Sequence, residues 1–282
     1  MDYLINLAGL AGIFIILAQS LHLINGVNGQ FSLGHAGFWG IGAYSGALVS
    51  AHFELTQFAF INLAISCLVA FIVTFIISFI ISYPCSKLRG DYLAITTLGF
   101  GEIVRSVIQN LEITGGSRGL TNIPKLATTT DVWIYVVLLV FLLNNVLRGS
   151  VGRTLVCIRE DDIAAENIGF KVSRYKMLAF SSGCAIAGVA GSLFAHFQQF
   201  IHPNNFTFLW SVIIFLMLIL GGIGSSLGSI LGAVILTLLP EILRFTGDLS
   251  EYRMIIFSLL LVLLIIFKPQ GIFYSKKASL FN

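Results

Sequence analysis

Residues 58–83 read FAFINLAISCLVAFIVTFIISFIISY, an apolar run without one charged side chain. A helix crosses the hydrocarbon core of a bilayer with about 20 apolar residues, so this run reads as a membrane span before anything else is known of the chain. Working outward, further apolar runs lie at 3–24, 31–50, 91–112, 131–147, 176–197, 207–222, 225–243 and 253–268. The stretch 207–243 is too long for one crossing at about 1.5 Å per residue, and its Gly221-Gly222-Ile223-Gly224 break divides it in two. The run at 91–112 is the least apolar, because it carries Glu102, Arg105 and several small polar residues. The expected fold class is all-α, a polytopic membrane bundle of about nine spans, eight or ten if a glycine-interrupted piece is re-entrant.

Composition agrees. Of 282 residues 57% are hydrophobic and 10% charged, against about 45–50% and 25% in soluble domains, and the mean hydropathy is +0.94. Such a chain has too little polar surface to be a soluble enzyme, a coiled coil or a disordered tail. Residues 1–86 contain no Lys or Arg, so the first run lacks the basic start of a secretory signal peptide and is expected to be retained. Cys67, Cys85, Cys157 and Cys184 are far apart and form no C-x-x-C pair. Neither a disulfide frame nor a zinc site follows from them.

The scarce charges set the sidedness. Lys87 and Arg89 separate spans three and four; Arg148, Arg153, Arg159, Lys171, Arg174 and Lys176 crowd the segment between spans five and six; Lys268, Lys276 and Lys277 close the chain. Nine crossings with the N-terminus outside and the C-terminus cytoplasmic put all three clusters inside, as the positive-inside rule requires. Arg118, Lys125, Arg244 and Arg253 then fall outside. The largest loop, 148–175, is too short to bury a core of its own, so residues 1–282 read as a single membrane domain. Within that loop the segment Arg159–Ile168 begins with acids, which favour a helix N-terminus, and ends before Gly169, a natural C-cap. A short charged helix is expected there.

Two glycine-rich stretches, 26–43 and 221–233, each contain Ser-Leu-Gly followed by Gly-Ala. Interrupted spans in corresponding halves point to a transporter's substrate path, and the match suggests an internal duplication. Gln30, Ser32 and His35 in the first stretch, and Gly221, Gly222 and Gly224 in the second, are therefore candidates for that path. For His35 two readings stand, a pore-lining group or a hydrogen-bonded packing residue. Glu102 and Arg105, three residues apart on one helical face, can pair, either on a water-filled lumen or gate or as a structural ion pair. Gly224-Ser225-Ser226-Leu227-Gly228 fits G-x-S-x-G, but the strand-to-helix turn of a nucleophile elbow is missing. The i, i+4, i+8 spacing of Gly224, Gly228 and Gly232 reads as a small-residue packing face. No G-x-x-x-x-G-K-[ST] occurs, so any ATP that drives transport is hydrolysed on another chain.

The run Gly29-Gln30-Phe31-Ser32-Leu33-Gly34-His35-Ala36-Gly37-Phe38-Trp39-Gly40-Ile41-Gly42-Ala43-Tyr44 resembles a signature of LivM-type permeases, the membrane subunits of ABC importers for branched-chain amino acids. Thr97–Arg105, Thr114–Leu120, Gly152-Arg153, Arg159-Glu160-Asp161, Ala164–Gly169, Gly221–Ser225 and Lys268–Phe273 resemble further motifs of that family in order, over nearly the whole chain. The chain is short for the family, and the difference is expected at its termini. The resemblance implies inward transport by alternating access, with no catalysis and no cofactor on this chain. It implies a heterodimer with a related permease in a bacterial inner membrane, two cytoplasmic ATPases that bind ATP and Mg²⁺, an extracytoplasmic binding protein, and no nucleic acid. Arg153, Arg159, Glu160, Asp161, Ala164, Ala165, Glu166 and Gly169 would form the ATPase-coupling segment, and Gly115, Gly116 and Arg118 a loop facing the binding protein. Similar permeases serve urea and short amides, and an ion-gradient-driven transporter is the competing class.

Overall fold

The computed structural model describes residues 2–52, 59–88, 90–245 and Gly271. Ten α-helices follow in the described chain: α1 Asp2–Leu21, α2 His35–His52, α3 Ala59–Cys85, α4 Asp91–Asn110, α5 Thr129–Arg148, α6 Ser150–Glu160, α7 Asp162–Asn167, α8 Val172–Gln198, α9 Phe208–Gly221 and α10 Ser226–Phe245. A π-helical turn, His22–Val27, extends α1. Among the described residues there is no strand beyond an isolated antiparallel bridge between Leu120 and Ile201. The all-helical reading stands.

Four helices, Tyr3–Val27, Ala59–Cys85, Thr129–Arg148 and Val172–Gln198, are long and apolar enough to cross a membrane, and α9 and the apolar part of α10 are shorter. The other expected crossings fall to the shorter or more polar helices and to 253–268, which lies outside the described residues together with Arg89, Lys268, Lys276 and Lys277.

Helices α1, α2 and α8 form the buried centre, and α3 and α5 lie on the outside. Helix α3 shows why. Its buried face includes Ser66, Ala70, Thr74, Ser78 and Ser82, a stripe at intervals of four residues, while Leu68, Ile72, Ile76 and Ile80 are exposed. In lipid, small and polar side chains mediate helix contact and large apolar ones face outward. Antiparallel to this stripe runs α8: Ser66 Oγ lies 3.1 Å from Ser192 Oγ, and Ser78 Oγ donates to the Ser181 carbonyl at 3.3 Å. His196 at the far end of α8 closes the row, with Nε2 2.8 Å from Ser50 Oγ.

Helices α2 and α8 approach more closely still. A Cβ on Gly42 would run into the Gly188 main chain, and one on Gly191 into the Trp39 carbonyl. Trp39 packs edge-on against Phe194 and Phe206, with ring centroids 4.9 and 4.8 Å away.

Three boundaries differ from the sequence reading. The expected span at 31–50 starts its helix only at His35; residues 29–34 are irregular, and Leu33 N donates to Thr97 Oγ1 at 3.0 Å. The expected single helix over 159–168 is two helices joined at Asp161, whose extended backbone (φ −153°, ψ 107°) ends α6 and caps α7. Arg159 and Glu160 therefore belong to the last turn of α6. Gly169 does end α7, with φ +101° and its N–H on the Glu166 carbonyl. Gly224 is not on the packing face with Gly228 and Gly232: it precedes α10 at φ +98°. It is Gly221 of α9 whose backbone meets Gly228 and Gly232.

The two ends of the bundle differ in charge. Asn28, Leu88, Gly90, Arg159 and Lys176 line one cavity, which brings the turns after α1 and α3 to the same end as α6, α7 and the start of α8. Arg148, Arg153, Lys171 and Arg174 belong to the same end. Opposite, the Leu120–Ile201 bridge joins the segment before α5 to the one after α8, and Thr129 Oγ1 donates to the Ile5 carbonyl (3.1 Å), which ties the start of α5 to the start of α1.

Candidate functional site

Helix α4 is as long as α5, yet composition excludes it from the apolar spans. Its outward face mixes the polar Thr96, Ser106 and Asn110 with the apolar Tyr92, Ile95, Ile103 and Val107 as exposed residues, and a Cβ on Gly99 would meet nothing within 4 Å. The exposed faces of α3 and α5 carry large apolar side chains too, with Ile72, Ile76, Val137 and Phe141 outward, but no ion pair among the described residues. Near the middle of α4, Arg105 Nε and Nη2 donate to Glu102 Oε2 at 2.9 and 2.8 Å. Their side chains remain 29% and 36% exposed. An ionisable side chain at the centre of a lipid-facing helix costs about 2.5–3.5 kcal/mol on insertion scales, so this face is built for water or for another protein. Glu102 Oε1 also accepts from Phe208 N at 3.3 Å, which satisfies an otherwise unbonded N–H in the first turn of α9. The pair thus holds α4 against α9 and leaves its charges open on one side.

The other path candidates separate into two groups. Gln30 is buried beside Asn28, whose Nδ2 donates to Gln30 Oε1 at 2.5 Å, and both line the cavity of about 310 Å³ at the basic end. Ser32 and His35 lie inside the bundle. His35 Nε2 is 2.7 Å from Ser20 Oγ, and Ser32 N donates to Asn25 Oδ1 at 3.3 Å. In the second break, Gly222 has φ +108° and Gly271 presses its main chain against it.

At the basic end, Asp161 Oδ1 accepts from Ile163 N and Ala164 N at 2.9 and 3.0 Å, which caps α7. Lys176 Nζ reaches Asp162 Oδ2 at 2.6 Å and ties α7 to α8. Ala165 is buried under the short helix, while Arg153, Glu160, Ile163, Ala164, Glu166 and Ile168 are exposed. That surface mixes apolar side chains with charges of both signs. At the opposite end, about 30 Å along the twenty residues of α4, Gly115 and Gly116 take φ of 77° and 57°, and Arg118 is exposed. His202 Nε2 donates to the Ser117 carbonyl at 3.0 Å and fixes this loop to the segment after α8.

Two features escaped the sequence reading. Gln19 in α1 holds α10 through Nε2 to the Ser226 carbonyl (2.6 Å) and to Ser229 Oγ (3.0 Å); a lone amide in an apolar run was the available signal. Arg159 reaches back to the Gly26 carbonyl at 2.7 Å, for which no local signal exists. Among the described residues no group of His, Cys, Asp and Glu could hold a metal ion.

Residues 3–265 match the family model described as branched-chain amino acid transport system / permease component. The chain is 36% identical to the high-affinity branched-chain amino acid transport system permease protein LivM of Salmonella typhimurium, over 95% of this chain and 69% of that protein. It is 28% identical to the probable permease LivM of Methanocaldococcus jannaschii over 68% of this chain and 63% of that protein. It is 33% identical to LivH of Escherichia coli over 50% of this chain and 46% of that protein. No solved structure matches. A match over nearly the whole length leaves one assignment: the protein belongs to the family of permease components of branched-chain amino acid transport systems.

Proposed function

We propose that the chain is the membrane permease subunit of an ATP-driven importer that moves branched-chain amino acids inward by alternating access. The observation that carries this reading is the partly exposed Glu102–Arg105 pair near the middle of α4, on an open face that also carries Thr96, Ser106 and Asn110. A monomeric span in lipid has no use for such a face. A second, related permease laid against it would enclose a polar passage, consistent with likeness to both LivM and LivH.

In this reading the chain crosses the membrane nine times, with its N-terminus outside and its basic end in the cytoplasm of a bacterial cell. Two ATPase subunits, which carry ATP and Mg²⁺, dock on the exposed surface of α6 and α7, where Arg153, Glu160, Ala164 and Glu166 are available. The extracytoplasmic binding protein meets the loop of Gly115, Gly116 and Arg118. Closure of the ATPases displaces α6 and α7, and the spans rock between inward- and outward-open states whose relative stability each bound partner shifts.

The test is uptake by proteoliposomes containing this chain, the second permease and both ATPases, with the binding protein supplied outside. Labelled leucine accumulates only with ATP. Accumulation driven by an ion gradient without ATP overturns the reading, and uptake of urea or acetamide in place of leucine corrects its substrate.

A further inference from the structure

Both glycine-rich breaks converge on one side chain. Arg159 Nη1 donates to the Gly26 carbonyl at 2.7 Å, across 133 residues of sequence. Gly29, at φ +70°, leaves the space in which the arginine stem lies: a Cβ there would sit 2.6 Å from Arg159 Cγ. Gly224, from the second break, brings its open side to within 3.7 Å of Arg159 Nη1, and its N–H lies 3.4 Å from where a Cβ of Gly26 would be. The turn after α1 and the turn after α9 are therefore in contact, and the end of α6 is inserted between them. The remaining face of the guanidinium is held by Glu160 Oε1, 3.2 Å from Nε and 2.6 Å from Nη2.

The side chain is well supported from behind. Gly152, Thr154, Leu155 and Ile158 of α6 are buried, so the helix cannot roll the arginine outward without unpacking. Asn28 and Gln30, in the same turn as Gly29, line the cavity next to it. Arg159, Arg153 and Glu160 all reach the surface, but the Arg159 side chain turns back to the Gly26 carbonyl and is 31% exposed, against 68% for Glu160.

We infer that Arg159 is the positioning residue that transmits movement of the cytoplasmic helices α6 and α7 to the two glycine-interrupted membrane turns, through its bond to the Gly26 carbonyl and its seat against Gly29 and Gly224. The inference rests on the reading of the chain as an ATP-driven permease and gives that reading a mechanical link. A Cβ on Gly29 would occupy the seat, and Gly224, at φ +98°, holds a backbone conformation that favours glycine and brings its turn into contact with the guanidinium. A planar guanidinium suits the role, since it holds Glu160 and Gly26 from separate nitrogens at once.

The test uses the reconstituted complex and reads uptake per ATP hydrolysed. With Arg159→Ala the ATPases stay associated and the ratio falls by about tenfold or more, the factor that corresponds to loss of one charge-assisted hydrogen bond. Gly29→Ala, which displaces the same side chain, lowers the ratio in the same direction, and Arg159→Lys restores part of it. A ratio within about twofold of the unsubstituted complex in Arg159→Ala, the scale of an exposed contact, overturns the inference. So does loss of the ATPases from both Arg159→Ala and Gly29→Ala, which would make Arg159 a docking residue. Should Arg159→Ala fail to assemble, Gly29→Ala alone decides by the same ratio. Failure of the unsubstituted complex to couple uptake to ATP removes the proposed function instead.

Discussion

Alanine at Gly42 and alanine at Gly99 separate close packing from helix propensity. Both glycines lie inside helices, so each replacement carries the same propensity gain, about 0.5–1 kcal/mol. On Gly42 the new methyl points into the carbonyl and Cα of Gly188, with no flexible side chain to push aside. Only separation of the α2 and α8 main chains relieves it, and overpacking of this kind costs about 1–3 kcal/mol. The upper half of that range applies, because the obstacle is backbone and the contact continues at Gly46–Ser192 and Gly191–Trp39. On Gly99 the methyl meets nothing within 4 Å. The net expectation is a loss of about 1–2 kcal/mol for Gly42→Ala and a gain of up to about 1 kcal/mol for Gly99→Ala, so the two differ by about 2–3 kcal/mol. Reversible unfolding of the detergent-solubilised chain by SDS titration, followed by tryptophan fluorescence, measures the difference. Coincident transitions for the two variants would refute the argument that main-chain contact sets the distance between α2 and α8.

Cysteines introduced at Thr96, Gly99 or Ser106 in a Cys157→Ser background should react with a membrane-impermeant maleimide in membranes, whereas cysteines at Ile72 or Ile76 should not; equal labelling of both sets contradicts a polar face on α4. Asp161→Ala removes two capping bonds from a six-residue helix and costs about 0.5–2 kcal/mol locally. Hydrogen exchange should then speed up over residues 163–168 and stay unchanged in the body of α8, and unaltered exchange in α7 would show that the cap is not what holds it.

The spans were legible where composition alone decides. Residues 58–83 have no charge to interrupt them, and α3 covers Ala59–Cys85. The Glu102–Arg105 pair was legible because three residues on a helix are neighbours whatever surrounds them. What the sequence hid was long-range or depended on context. Residues 150–158 look like basic loop, yet α6 forms there because Leu155 and Ile158 find the core of the bundle. Gly224 has the right spacing for a packing face with Gly228, but spacing presupposes a helix and the turn at Gly222 delays it. The acids at 160–162 announced a helix start correctly and its position wrongly, since Asp161 caps from outside rather than from within. The seat of Arg159 has no local signature, because its three glycines come from two distant segments.

The contact between the α2 and α8 main chains has a further consequence. Two helices whose main chains touch at Gly42 and Gly191 resist sliding or turning against each other, and the serine row of α3 fastens a third helix to the pair. Helices α9 and α10, held backbone to backbone at Gly221 and Gly228, make a second stiff piece. Separable polar bonds join this second piece to the rest of the bundle: Gln19 of α1 to Ser226 and Ser229, and Ala36 N of α2 to Ser211 Oγ at 2.9 Å. Water can replace those bonds one at a time, and it cannot replace a main-chain contact. Glycine is commonly taken as the mark of a hinge; inside these helices it marks where the molecule does not bend, and the polar seam beside it marks where it can.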